Sequence, residues 1–445
     1  MTSEWMEVSV GDVTIQVTKG TTPTTIGFGF ENEGVRFIKV ESLSEDGRFL
    51  EGKFAYISDE AHNSLLRSQL QEDDVLFTIA GTIGRTAIVD AKYLPANTNQ
   101  AVAIVRPDKA KVSPRFLRYV LSNRAFTVSA KSKTVQSVQA NYSLGELKKA
   151  RFYLPTLEGQ SEILSVLSPI DDRITLLRET NSTLEAIAQA LFKSWFVDFD
   201  PVRAKAEGRE PEGIDAETAA LFPDTFEESE LGLVPRGWFV SRIGDISTVI
   251  DCLHSKKPEL IESEFPFLQL SNIRDDGLLA TSEVTGVSES DYIKWTSRIE
   301  VSGGDCVITN VGRVGAVAQI PEGYKAAMGR NMTAIRLSSE WPYPTYLIEL
   351  LQSSWMQAEI SAKTDVGTIL NALNVKSIPQ LRCVVADSFV MSAFEGIARP
   401  LRNAMEKNLL TIHTLSNLRD TLLPRLISGQ LRIADAEAEL EKATA

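Results

Sequence analysis

Cysteine and histidine are scarce in this chain, with three of each in 445 residues. Cys252, Cys306 and Cys383 are too few and too scattered for a disulfide framework or a zinc cluster, and are expected to be buried apolar residues in a reducing compartment. His62, His254 and His413 stand isolated, without metal-ligand spacing and without a recurring carboxylate pair, so neither a metal site nor a catalytic centre is expected. Also absent are an apolar run long enough to cross a bilayer, the Gly-Lys-Ser/Thr ending of a phosphate-binding loop, and an Asn/Asp-Pro-Pro-Tyr motif. Asp198-Phe199-Asp200-Pro201 comes nearest to the last, lacks its second proline, and reads as a helix terminator. The first residues run straight into patterned sequence without a leader, which predicts a soluble, unexported, cytoplasmic protein with no membrane association.

Positive charge is in short supply as well. The formal net charge is −13, which argues against a general polyanion binder, because Lys and Arg neutralising phosphates supply most non-specific affinity. The excess is local: residues 158–236 carry 7 basic and 17 acidic groups, whereas residues 1–157 carry 19 and 17. Any affinity for nucleic acid must therefore come from basic loops, helped by a partner.

What the sequence does hold is an internal repeat. Trp5 with Gly11-Asp12 recurs as Trp238 with Gly244-Asp245. The strand-like run Val35 to Val40, ending at Asp46-Gly47, recurs as Phe265 to Leu270, ending at Asp276-Gly277. The clearest match sets Asp74 to Arg85 against Asp305 to Ala316 at a shift of 231. Helical stretches Pro114 to Ser122 and Pro344 to Gln352 follow, then Asn141 and Asn371. Each half thus begins as a mixed, strand-rich domain of ordinary size. Trp5 and Trp238, each at the start of an apolar-periodic strand, read as core anchors.

After each domain the apolar period changes from two to 3.5. One seam runs Ile163, Leu167, Ile170, Ile174, Leu177, Asn181, Leu184, Ala188, Leu191, Trp195. The other runs Phe394, Ala398, Leu401, Met405, Asn408, Ile412, Leu415, Arg419, Leu422, Leu426, again at a shift of 231. Each carries one Asn, a residue that fixes register at some cost in stability. The predicted organisation is a mixed domain over 1–157, a helix over 158–199, an acidic linker over 200–236, a second mixed domain over 237–386, a second helix over 387–431 and a tail over 432–445. The fold class is α+β, with a pseudo-two-fold repeat and an antiparallel pair of long coiled-coil helices separating the two domains.

This order, twice repeated, resembles the specificity (S) subunits of type I restriction-modification systems over nearly the whole chain. The local marks are Leu231-Gly232-Leu233-Val234-Pro235-Arg236-Gly237-Trp238 at the entry to the second domain, the two Gly-x-x-Gly strand ends, Leu191 to Phe199, and the terminal Leu422 to Leu431. The resemblance implies two target-recognition domains, a bipartite gapped target on double-stranded DNA, and no chemistry in this chain. It further implies two methyltransferase subunits that carry S-adenosylmethionine, and two motor-nuclease subunits where restriction occurs. The competing expectation is a structural coiled-coil adaptor that binds only proteins, which the acidic charge favours.

Candidate contacts follow from the repeat. Arg85 and Arg313, beside the Gly-x-x-Gly turns, are placed on DNA-facing loops, where Arg suits guanine; Gln100 and Asn331, the latter next to Arg330, suit adenine or read equally as satisfied strand-end amides. Lys19, Lys256 and Lys257 early in each domain, and Lys131, Lys133 and Lys363 after the short helices, are phosphate-contact candidates. Asn141 and Asn371 read either as base readers or as helix caps. On the first long helix Ile187, Phe192 and Phe196 are the apolar residues expected to meet methyltransferase subunits.

Overall fold

The computed structural model describes residues 5–132, 141–365, 367 and 371–444. They form two compact units: residues 1–174 with 415–445, and residues 175–414.

In the first unit four strands, Thr14–Lys19, Val102–Pro107, Val75–Thr78 and Thr86–Ile88, lie side by side in that order, all neighbours antiparallel. A three-stranded sheet sets Val35–Ile38 between Ala55–Ile57 and Ala96–Thr98, the last of these parallel to it. The second unit repeats the four-stranded order with Ser247–Asp251, Met332–Leu337, Cys306–Thr309 and Val317–Gln319. It likewise has a parallel pair in its three-stranded sheet, Phe267-Leu268 against Ala327-Met328. The runs Val75–Thr78 and Cys306–Thr309 are buried at every position, which explains why they read as continuous apolar stretches and not as alternation.

The aspartate opening each matched segment has a structural task. Asp74 and Asp305 are buried, and each takes a two-point contact from the guanidinium of the neighbouring strand, Arg106 at 2.7 and 2.8 Å and Arg336 at 2.8 and 2.5 Å. A buried carboxylate is tolerated only with such pairing.

Beside each sheet lies a short helix that begins at a proline, α1 (Pro114–Ser122) in the first unit and, in the second, its repeat Pro344–Gln352. Proline suits that position because the missing N–H would be unsatisfied there anyway. The first long helix, α2, spans Leu157–Phe196. With Pro344–Gln352 labelled α3, the second long helix, Ser388–Ile427, is α4; each long helix has 40 residues.

The 3.5-residue pattern is realised as burial. Ile163, Leu167, Ile170 and Ile174 are buried in the first unit, as are Leu415, Leu422 and Leu426; Leu177, Ala188, Trp195, Phe394, Ala398, Met405 and Ile412 are buried in the second. In the second unit the helices run antiparallel. Asn181 donates to the Met405 carbonyl at 3.0 Å and accepts from Asn408 Nδ2 at 2.8 Å, while Phe192 meets Phe394 with ring centroids 6.0 Å apart. The two seam asparagines thus satisfy one another, as buried amides must.

Two segments differ from the sequence reading. The stretch 200–236, expected as an acidic linker, holds elements of its own: helices Asp200–Ala206 and Ala216–Ala220 and a hairpin of Phe226–Ser229 with Gly232–Pro235. Val202, Phe222 and Val234 from it enter the core of the second unit beside Trp238. Its acidic residues hid an apolar spacing too short to register as an element. The stretch 432–445 is likewise more than a tail, since Ile433–Thr444 is helical and Glu439 pairs with Arg425 at 2.9 Å.

Candidate nucleic-acid interface

At the end of strand Thr14–Lys19 the chain turns through Gly20. Glycine is required there, because a Cβ would stand 1.9 Å from the Thr98 carbonyl oxygen. The turn brings Lys19 and Gln100 to one edge, with Thr22 donating to the Gln100 side-chain oxygen. Arg67, exposed, reaches the same edge and donates Nη2 to Thr21 Oγ1 at 2.8 Å. Lys19 is the last strand residue, not a loop residue.

The second unit places an equivalent edge after strand Ser247–Asp251. Lys256 and Lys257 are exposed, and Lys257 donates to Gln269 Oε1 at 2.6 Å. Arg298, the residue 231 positions after Arg67, donates to the Cys252 carbonyl at 2.9 Å and stands 3.9 Å from Asp251. Arg330 is exposed beside Asn331, whose φ of 65° marks the left-handed corner of the adjoining turn. Asn331 therefore serves the backbone. Arg67 and Arg298 were missed by the sequence reading, although their separation by the repeat shift was an available signal.

Each edge thus exposes one guanidinium fixed at a repeat-equivalent place, flanked by ammonium and amide groups. Such groups offer charge for phosphates and directed donors for base edges. Asp251, Cys252 and His254 also gather here, their ligand atoms within 4.8 Å of one another. His254 is hydrogen-bonded to Asp251 at 2.7 Å, burial pushes the Cys252 thiol up, and Arg298 adds positive charge. The trio anchors the loop and is a poor host for a cation.

Residues 2–186 match the family model for the type I restriction modification DNA specificity domain. The specificity subunit of the type I restriction enzyme HindI of Haemophilus influenzae is 25% identical over 479 residues, spanning 96% of this chain and 100% of that protein. Residues 2–186 thus carry the family's DNA specificity domain, and over nearly its whole length the chain is similar to type I restriction enzyme specificity subunits. The MjaIX specificity subunit of Methanocaldococcus jannaschii is 25% identical over 368 residues, covering 81% of this chain and 78% of the relative. The solved type I S subunit from M. genitalium shares the fold with a TM-score of 0.54 at 14% identity, covering 96% and 97% of the two chains. Specificity subunits are DNA-recognition components and not enzymes, and the fold is the family's: two strand-rich domains and two long helices.

Several candidate residues have other work. Arg85 donates Nη1 to the Leu43 carbonyl at 2.8 Å and sits 3.8 Å from Glu45. Arg313 donates to the Ile273 carbonyl at 2.6 Å and pairs with Asp275. Leu43 and Ile273, like Glu45 and Asp275, are repeat equivalents, yet the arginines sit at different places in their Gly-x-x-Gly turns. Two sequence solutions deliver a guanidinium to one structural point, so both arginines hold the loop beside the Asp-Gly turn. Lys131 lies within helix Arg124–Ser132, not in a loop, and Lys363 caps helix Ser354–Ala362 with its ammonium 3.9 Å from Glu359. Lys133 is outside the described residues. Asn141 and Asn371 are exposed and cap nothing: Ser143 and Asn374 are the caps. Asn141 instead bridges to Ala80, beside the first Gly-x-x-Gly turn.

The expectation for partner contacts fails at two of three residues. Phe192 and Phe196 are 2% and 4% exposed, packed on Tyr346, Phe394 and, for Phe196, Trp238. Their heptad flank faces inward, against the second mixed domain and the second long helix. Ile187 remains outside, 48% exposed.

Proposed function

We propose that the chain is the DNA-reading subunit of a type I restriction-modification complex, recognising a bipartite, gapped site on double-stranded DNA with one half-site per repeat. The observation that carries this reading is the pair of equivalent edges, Lys19, Arg67 and Gln100 in one unit and Lys256, Lys257, Arg298 and Arg330 in the other. Lysines give affinity that falls with salt; the fixed arginines and Gln100 give discrimination. The two helices set the number of unread base pairs.

The chain carries two methyltransferase subunits, and motor-nuclease subunits join that assembly where restriction occurs, all in the cytoplasm. S-adenosylmethionine is held by the methyltransferase. The support for partner docking is a second stripe on α2: Leu176, Thr180, Thr183, Ile187 and Ala190 recur at steps of 4, 3, 4 and 3 without a charge. Thr180 and Thr183 turn their hydroxyls onto carbonyls of their own helix, at 2.8 and 3.0 Å. That leaves their methyl groups for a neighbouring helix. Net charge of −13 favours the protein-only adaptor, and one experiment separates the two readings. Long-read methylation sequencing of cells with the neighbouring methyltransferase genes, with and without this chain, is expected to show a gapped motif only in its presence. Methylation indifferent to the chain leaves the adaptor.

A further inference from the structure

The two repeats attach their domains to the long helices by ion pairs of opposite polarity. In the first unit the short helix is the cationic side: Arg118 of α1 donates to Asp171 of α2 at 3.1 Å, and Tyr119 of α1 donates to the same carboxylate at 2.7 Å. Arg419 of α4 closes the cluster, 2.8 Å from the other Asp171 oxygen. In the second unit the short helix is the anionic side: Glu349 of α3 accepts from Arg402 of α4 at 3.1 Å, with both side chains 2% exposed. Asp171 and Arg402 are separated by 231 positions, the shift that superimposes the two seams, and so are one position read twice with opposite charge.

The same inversion reaches the neighbouring Asp-Gly turns. In the first unit the turn carbonyl of Asp46 is held by Arg118, from the short helix, at 2.6 Å; in the second the carbonyl of Gly277 is held by Arg402, from the long helix, at 2.8 Å. The two long helices also hold the starts of the short helices differently. Gln160 of α2 accepts from the Ser113 backbone at 2.7 Å, whereas Glu395 of α4 accepts from the Tyr346 backbone at 2.8 Å.

We propose that these inverted pairs are an address: each long helix accepts only its own recognition domain, so the domains of this chain are not interchangeable between its two positions. Were they exchanged, Arg118 would come against Arg402 with both guanidiniums directed at one turn, and Glu349 would come against Asp171 with both carboxylates buried. Like charges brought together out of water are strongly unfavourable, and removing a partner from a buried pair is costly in itself. The inference concerns assembly and does not depend on the DNA reading.

The test uses full-length chains co-expressed with the methyltransferase. One carries the two domains transposed, a second is transposed with Asp171→Arg and Arg402→Asp, and a third keeps the native order with Glu349→Arg and Arg402→Glu. The expected result is that the transposed chain is lost from the soluble fraction or unfolds roughly 10 °C lower. Transposition with the exchanged pair is expected to regain most of that shift, and the native-order exchange, which loses the Arg402 hold on the Gly277 carbonyl, to fold with a midpoint between those of the native and the transposed chain. A transposed chain as stable as the native one overturns the proposal. So does failure of the corrected transposition while the native-order exchange folds. If the native-order exchange itself collapses, the polarity of the pair is not what attaches the domain, and the proposal also falls.

Discussion

At the scale of single residues the arginines divide by what already holds them. Arg85, 23% exposed, is engaged by a carbonyl and a carboxylate, whereas Arg67 is exposed and held by one hydroxyl, and Arg298, held by the Cys252 carbonyl, keeps its side chain 47% exposed. Arg85→Gln is therefore expected to lower the unfolding midpoint and leave the half-site preference intact. Arg67→Gln is expected to leave the midpoint within a degree or so and to weaken specific binding by about 1–3 kcal/mol, read by titration of the assembled complex with duplex DNA. The reverse assignment would make Arg67 the clamp and Arg85 the reader. Asp74, fully buried against Arg106, belongs to the clamp class, and Asp74→Ala is expected to cost about 3–5 kcal/mol in denaturant titration, as the removal of one partner of a buried pair does. The sequence displayed Asp74 and Asp305 as the opening letters of a repeat without disclosing their purpose. Their partners Arg106 and Arg336 lie some thirty residues on, and only strand pairing brings them together.

At the scale of elements, α2 and α4 were the most legible parts of the chain. Period and length sufficed for them, because a heptad seam is a local property of the sequence. The same reasoning placed Phe192 and Phe196 on an outer face and erred, since Tyr346, Phe394 and, for Phe196, Trp238 pack on them from distant parts of the chain, which no periodicity on α2 could reveal. The seam asparagines permit an element-scale prediction. Asn181→Leu leaves the Asn408 amide facing an apolar neighbour and is expected to cost about 1–3 kcal/mol, while Asn181→Leu with Asn408→Leu recovers most of it. A double variant as unstable as the single one would show that the two amides do not act as a pair.

The attachment of domain to helix carries a pH signature of opposite sign in the two units. Burial works to raise Asp171, but the guanidiniums of Arg118 and Arg419 outweigh it and hold its carboxyl below the ordinary value of 3.8. A depressed carboxyl stabilises the fold above its unfolded value, and that contribution is lost as pH falls below about 4. Glu349 is raised above 4.5 by burial, against the pull of Arg402, and Glu395 is raised by burial as well. Raised carboxyls favour the fold in their protonated form, so their contribution grows as pH falls through those raised values. Hydrogen exchange followed from pH 7 to pH 3 is expected to show α1 losing protection as Asp171 protonates, without a parallel loss in α3 over the same range. Simultaneous loss in both would contradict the inverted arrangement.

At the scale of the whole molecule, the repeat explains why the fold was readable from one sequence while the reading surface was not. Order and spacing of motifs survive in the chain, but an interface is assembled from residues as far apart as Lys19, Arg67 and Gln100, and its members are recognisable only once a turn has gathered them. The central claim is that each repeat reads its own half of a gapped site. It is tested most directly by methylation sequencing of cells carrying the native chain, a Lys19→Ala/Arg67→Ala chain, or a Lys257→Ala/Arg298→Ala chain. The account predicts that each double variant blurs one half of the motif, a different half in each case, with the spacer unchanged. Blurring of both halves by either variant, or of neither by both, would contradict it.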